Sequence, residues 1–234
     1  MNLSTRDRAL RELMDDPQCD PDRLAATLRR FDIVNRLVAG WHSVYRAHMR
    51  PALADLGRPA TVLDIGSGGG DVVARLATWA RRDGFDVAWV GIDPHPQAHA
   101  VAESRRAPSS VSFRCADAAT LRDEGAVFDI VLSNHVLHHL DDDLPAFIED
   151  SVALARGPVL HSDIDRSRLA YVLYAIGITP LAPGTFLRTD GLRSIRRSFT
   201  ATELREQLAD DPTGPWRVER PTTFRLLAVG SGRA

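Results

Sequence analysis

Five short apolar runs recur through the middle of the chain, each stopped by a polar or glycine-rich turn. They are Thr61-Val62-Leu63-Asp64-Ile65, Val87-Ala88-Trp89-Val90-Gly91-Ile92, Val111-Ser112-Phe113-Arg114-Cys115-Ala116, Phe128-Asp129-Ile130-Val131-Leu132-Ser133 and Gly157-Pro158-Val159-Leu160-His161-Ser162. Helical spacing fills the intervals, most plainly over 71–82, 96–106 and 143–155. Nearly continuous apolar strands alternating with helices predict a parallel sheet covered on both faces, a doubly wound α/β arrangement.

The flanks read differently. Residues 1–57 read as helical, broken at Asp15-Asp16-Pro17 and around Cys19-Asp20-Pro21, with Leu24, Leu28, Phe31, Val34, Leu37 and Val38 on one stripe. Pro51 and Gly57-Arg58-Pro59 close this N-terminal helical cap, and 58–234 is expected to form the main domain. Near the other end, Thr200 and Glu203 make a capping box for a helix. Residues 216–220 and 224–229 read as strands joined by Pro221-Thr222-Thr223, a link so short that they must be antiparallel. The interval 166–198 is too long for a simple connection and is expected to be a lid, with an apolar half and a basic half carrying Arg188, Arg193, Arg196 and Arg197.

Composition narrows the class. The 234 residues carry a net charge of -2, with 44% hydrophobic and 26% charged positions, so no global field draws the chain to nucleic acid. No apolar run approaches the ~20 residues that cross a bilayer. The stretch Met1-Asn2-Leu3-Ser4-Thr5-Arg6-Asp7 lacks the apolar core of a secretion signal, and a cytoplasmic setting is expected. Cys19 and Cys115, far apart, form neither a disulfide framework nor a metal site, and no metal is expected.

In a doubly wound sheet, ligands bind beyond the carboxyl ends of the strands. The first such end reads Asp64-Ile65-Gly66-Ser67-Gly68-Gly69-Gly70-Asp71. Its glycines allow a sharp turn and close approach of a ligand. A dinucleotide fingerprint would need glycine at position 71, where an acid stands at the helix start and would repel phosphates. Asp64 and Asp71 suit a ligand bearing an ammonium and a sulfonium, although Asp71 also serves as an ordinary helix N-terminal acid. Asp93 ends the second strand, 29 residues beyond Asp64, and can accept both hydroxyls of a ribose. Asp117 ends the third, where it either accepts from an adenine amino group beside the Ala118 amide or merely closes the strand.

Val62-Leu63-Asp64-Ile65-Gly66-Ser67-Gly68-Gly69-Gly70 resembles the first motif of class I S-adenosylmethionine (SAM)-dependent methyltransferases. Gly91-Ile92-Asp93, Cys115-Ala116-Asp117-Ala118 and the stretch from Phe128 through Asn134-His135-Val136-Leu137-His138-His139-Leu140 fall where that family carries its later motifs. The resemblance covers about 60–164. It implies a Rossmann-like sheet of seven strands with the last antiparallel, SAM as cofactor and S-adenosylhomocysteine as product. It places Asp64, Gly66, Ser67, Gly68, Gly70, Asp93, Pro94, Asp117, Ala118, Asn134 and His135 around the cofactor. Residues 31–42 are similar, more weakly, to the N-terminal helix of ubiquinone/menaquinone-biosynthesis methyltransferases, and the 166–198 insertion departs from that group.

A sulfonium methyl is already activated, so alignment and exclusion of water do most of the work, and a hydroxyl acceptor gains from a base. His135, His138 and His161 are the candidates: His135 facing the cofactor mouth, His138 balanced between function and structure, His161 where a strand opens into the crevice with Asp163 and Asp165 behind it. His139 is expected to pair with the acids of 141–143. The arginines of 188–197 read first as a solvated loop with salt bridges, second as a hold on an anionic acceptor, and least well as a nucleic-acid contact. Leu169 to Ile178, with Tyr171 and Tyr174, favours an apolar, aromatic acceptor of phenolic, quinol or polyketide-like type, methylated on oxygen or carbon. A non-catalytic SAM-binding regulator and an NAD-dependent oxidoreductase are the rival readings, and the oligomeric state stays open.

Overall fold

The computed structural model describes residues 3–16 and 18–233. The strands are β1 (Ala60–Ile65), β2 (Val87–Ile92), β3 (Val111–Arg114), β4 (Ile130–Asn134), β5 (Pro158–Ile164), β6 (Arg217–Glu219) and β7 (Arg225–Ser231). Among the described residues they form one sheet in the order β3-β2-β1-β4-β5-β7-β6. The first five are parallel, and β7 runs antiparallel between β5 and β6. The helices are α1 (Pro21–Val38), α2 (Trp41–Val44), α3 (Arg50–Leu56), α4 (Asp71–Arg82), α5 (Pro96–Glu103), α6 (Ala118–Asp123), α7 (Leu144–Ala153), α8 (Arg168–Gly177), α9 (Leu187–Arg197) and α10 (Ala201–Leu208). A π turn, Tyr45–Met49, joins α2 to α3.

Alternation along β1 shows why both faces are covered. Val62 packs with Val72, Leu76, Trp89 and Leu132 against α2–α4, whereas Leu63 and Ile65 pack with Leu121, Val131 and Val152 beneath α6 and α7. The chain leaves β1 toward β2 and β3, then returns to lay β4 on the other side of β1. This reversal opens a crevice at the carboxyl ends of β1 and β4, the position such sheets use for ligands.

Three expectations change. Residues 3–12 are not helical: they run as an irregular strap, with Asp7 N–H donating to Arg196 O and Arg166 Nε donating to Leu3 O. The fourth strand begins at Ile130, because the Asp129 carboxylate turns to accept from Thr61 N–H (2.9 Å) and the Arg58 guanidinium. The basic run is a helix, α9, whose inner face is Leu187, Asp190, Ser194 and Arg197. The capping box at α10 forms as expected, with Glu203 N–H on Thr200 Oγ1 and Thr200 N–H on Glu203 Oε2. No helix among the described residues is long and apolar enough to cross a membrane.

Candidate active site

A cleft of about 500 Å³ opens at the crevice beside β1 and β4. Its floor is the turn after β1. Gly66 and Ser67 N–H both donate to Ile92 O (2.9 Å each), folding the turn back over β2. Gly66 has φ of 71°, and a Cβ there would fall 2.6 Å from Val136 Cγ2, so only glycine fits.

Three carboxylates line this end of the cleft. Asp64 is buried and its Oδ1 has no hydrogen-bond partner. Burial, reinforced by Asp71 and Asp93, raises its pKa well above the usual carboxylate range. Asp71 accepts from Asn35 Nδ2 (3.0 Å), which ties α1 to the head of α4. Asp93 accepts from Gly68 N–H on Oδ2 and His95 N–H on Oδ1 (2.9 Å each). Burial raises the Asp93 pKa against the pull of those two amides. A buried carboxylate with an unused oxygen, beside two more acids, calls for a cationic ligand and opposes phosphate.

The opposite wall is built on the residues after β4. His135 is the one non-glycine residue with positive φ (63°) among those described, and its N–H donates to Ser162 O (2.9 Å). After this kink only a short 3-10 turn, Leu137–His139, follows. Arg225 of β7 is buried behind it and donates to His135 Nε2 (2.6 Å), Asn134 Oδ1 (2.9 Å) and Ser162 Oγ (2.9 Å). Trp41 Nε1 also donates to Asn134 Oδ1 (3.0 Å), so α2 and β7 share one acceptor. Burial and the neighbouring Arg225 hold His135 neutral, its pKa far below 6.5. Its Nε2 is occupied as an acceptor, which removes it as a base.

Farther along the cleft, His138 lies between two carboxylates. Its Nδ1 donates to Asp163 Oδ1 (2.7 Å), its backbone N–H to Asp163 Oδ2 (2.8 Å), and its Nε2 to Glu12 Oε1 (3.2 Å). Burial opposes charge here, yet Asp163 and Glu12 raise the His138 pKa to about 9. His139 sits beside it with Nδ1 3.3 Å from Asp15 Oδ2 and Nε2 3.8 Å from Glu12 Oε1. It pairs with acids, but with those of the strap rather than with 141–143. Ser194 Oγ donates to Glu12 Oε1 (2.7 Å), and Arg197 reaches Asp15 (3.5 Å) and His139 O (3.3 Å). Arg197 is buried in the wall, not solvated as the basic run was expected to be.

Of the sequence candidates, Asp64, Gly66, Ser67, Gly68, Asp93, Pro94, Asn134, His135 and His138 line the cleft. Gly70, Asp117, Ala118 and His161 are not among its lining residues. Gly70 turns the chain into α4 against the Phe113 ring. Asp117 caps its own helix, its Oδ1 accepting from Thr120 N–H (2.9 Å) and Oγ1 (2.6 Å), with Ala118 packed beneath. His161 is sealed in the core: Nδ1 meets Ser133 Oγ (2.8 Å) and the ring packs between Phe147 and Trp216. Burial lowers its pKa to about 3. A neutral imidazole with no route to the cleft cannot serve as the base expected of it. Glu12, Asp15, Asn35 and Arg225 were not singled out for the site from sequence, and Arg197 only as one of the basic run that could hold an anionic acceptor.

The methyltransferase domain family matches residues 62–156. The ubiquinone biosynthesis O-methyltransferase of Azorhizobium caulinodans is 29% identical over 184 residues, covering 72% of this chain and 70% of that one. Its counterpart from Methylocella silvestris is 27% identical over 187 residues, covering 74% and 70%. Among solved structures, the plantazolicin methyltransferase BpumL with a triazolic desmethylPZN analog and SAH superposes with a TM-score of 0.63 at 11% identity, over 88% of this chain and 90% of that one. Likeness at that identity speaks for the fold. The family match begins inside β1 and ends just beyond α7, so the strands and turns that build the cleft are similar to those of a methyltransferase domain.

Proposed function

We propose that this methyltransferase acts on an oxygen atom of a small phenolic or quinol acceptor. One observation carries the reading: a single cleft joins an acidic glycine floor to a chamber lined by Glu12, Asp15, His138, His139, Ser194 and Arg197. The first end suits the cofactor. Asp93 would hold the ribose hydroxyls, Gly66, Ser67 and Gly68 the backbone contacts, and Asp64 the ammonium. Bound SAM supplies a methyl group already activated by the sulfonium. Asp64, without a partner of its own, has an oxygen to give to a cation.

The second end suits a hydroxyl. His138 keeps its proton between Asp163 and Glu12, and His135 is capped by Arg225. His139 remains: Asp15 orients its Nδ1 proton, which leaves Nε2 to take a proton from the acceptor. Arg197, whose Nε and Nη1 have no hydrogen-bond partner, faces the same chamber and suits an anionic oxygen on the acceptor. Met14, Leu24, Leu28 and Phe31 supply the apolar wall for an aromatic ring. The α1 segment would act as the cap and α8–α9 as the lid. The names of the curated relatives, both O-methyltransferases, support oxygen over carbon.

The test is transfer of labelled methyl from SAM to a panel of phenols, quinols and small amines, with S-adenosylhomocysteine binding as control. A labelled phenol or quinol is expected, and His139→Ala should lower kcat by about 10²–10⁴. Label on amines alone, or unchanged kcat in His139→Ala, would overturn this reading. Tight binding without transfer to any acceptor would favour a regulatory SAM-binding protein.

A further inference from the structure

We propose that Glu12, His138 and His139 form a site for one divalent transition-metal ion in the wall of the cleft. One ligand atom from each lies within 4.8 Å of the others. Glu12 Oε1 is 3.2 Å from His138 Nε2 and 3.8 Å from His139 Nε2. Nitrogen and oxygen ligands held at about 2.0–2.2 Å around a tetrahedral ion stand roughly 3.3–3.5 Å apart. Small side-chain rotations, with the His138 Nε2 proton released to solvent as the ion takes its place against Glu12, therefore close the site.

The donor set selects the ion. Two imidazoles and one carboxylate suit zinc, cobalt, iron or manganese, whereas calcium and magnesium favour oxygen alone. The surroundings select metal binding over a plain charge network. His138 Nδ1 is 2.7 Å from Asp163 Oδ1, and His139 Nδ1 is 3.3 Å from Asp15 Oδ2. Both histidines thus have their far ring nitrogen on a carboxylate, the arrangement that fixes the tautomer and turns the near nitrogen toward a metal. The third ligand is fixed as well, by Ser194 Oγ on Glu12 Oε1 (2.7 Å). A network that only anchored the strap would need one such pairing; here all three donors are backed.

Three protein ligands leave coordination positions open, and all three residues line the cleft, so water or an acceptor oxygen can enter there. In its consequence, though not in its existence, the site rests on the methyl-transfer reading: a bound ion would take the place of His139 Nε2 in meeting the acceptor hydroxyl. The sequence expectation of no metal came from cysteine usage, and the proposal departs from it because Glu12 lies 126 residues from His138 in the chain.

The experiment uses the full chain, stripped with chelator and free of SAM and acceptor. Cobalt(II) is titrated and followed by its visible absorption, and zinc(II) by calorimetry. One equivalent should bind, with the affinity falling at least tenfold in Glu12→Gln and in His139→Ala and about tenfold in Asp15→Asn. Circular dichroism checks that each variant folds; His139, with 30% of its side chain exposed, is the variant expected to fold in any case. Absence of stoichiometric binding by the parent chain, or equal affinity in Glu12→Gln and His139→Ala, would overturn the proposal. No metal binding with intact methyl transfer removes the ion and leaves His139 as the base. Metal binding without methyl transfer keeps the site and removes the acceptor reading.

Discussion

Replacing Asp93 tests the cofactor half of the cleft most directly. Each of its oxygens already accepts one backbone N–H, from Gly68 and from His95, at 2.9 Å. Those bonds fix the carboxylate at the end of β2 and leave its remaining lone pairs for two ribose hydroxyls. Hydrogen bonds to a charged acceptor contribute about 1.5–3 kcal/mol each, so loss of the pair should weaken S-adenosylhomocysteine binding by about 3–6 kcal/mol, roughly 10²–10⁴-fold. Asp93→Asn should be nearly as damaging as Asp93→Ala. An amide has one acceptor oxygen, so its NH₂ would face either the Gly68 or the His95 donor and push the loop away. Calorimetric titration of parent and variants measures the affinity, and far-UV circular dichroism checks the fold. Affinity within threefold of the parent in Asp93→Ala, with an unchanged spectrum, would refute the placement of the ribose here.

Other substitutions probe the scaffold. Gly70→Ala forces a side chain into a left-handed turn (φ 72°) and against the Phe113 ring; about 2–5 kcal/mol should be lost in urea unfolding. His161 is buried neutral with its pKa lowered to about 3, against 6.5 when unfolded, so its contribution to stability is present above pH 6.5 and is lost as pH falls below it. Between pH 7 and 5 that loss amounts to about 2 kcal/mol, and His161→Phe should flatten the urea-unfolding stability profile by this amount. An unchanged profile would place His161 in contact with solvent. Arg225→Met removes donors to His135, Asn134 and Ser162 at once. It should cost about 3–5 kcal/mol in urea unfolding and weaken cofactor binding, because the kink at His135 loses its support.

Much of the glycine-floored end of the cleft was legible because its residues are local. The glycine turn follows β1 directly, Asp93 follows β2, and Asn134-His135 end β4, so locating the strand ends locates them too. Where the reading slipped, a neighbour competed for the same group. Asp117 stands at a strand end like Asp93, but a helix begins one residue later and Thr120 takes one of its two carboxylate oxygens. His161 also ends an apolar run, yet β5 extends three residues past it, to Ile164, and leaves the ring in the core. The helical period of α9 was present in Leu187, Asp190, Ser194 and Arg197; polar residues on the inner face disguised it.

The other end of the cleft could not be read in the same way, because the strap that completes it folds back across the chain. Asp190 holds the strap by accepting Leu13 and Met14 N–H at 2.9 Å each, and Arg6 donates to His138 O and Leu140 O at 3.1 Å each. These contacts place Glu12 against His138 and Asp15 against His139, pairings that no spacing within residues 3–16 announces. Polarity is what betrays them in retrospect. Glu12 is 5% exposed in a segment with little regular structure, and a carboxylate is buried there only because Ser194 and His138 receive it. The strap and α9 therefore belong to the chamber as much as the strands do. Loosening the strap should remove Glu12 and Asp15 from the histidines while leaving the glycine floor in place.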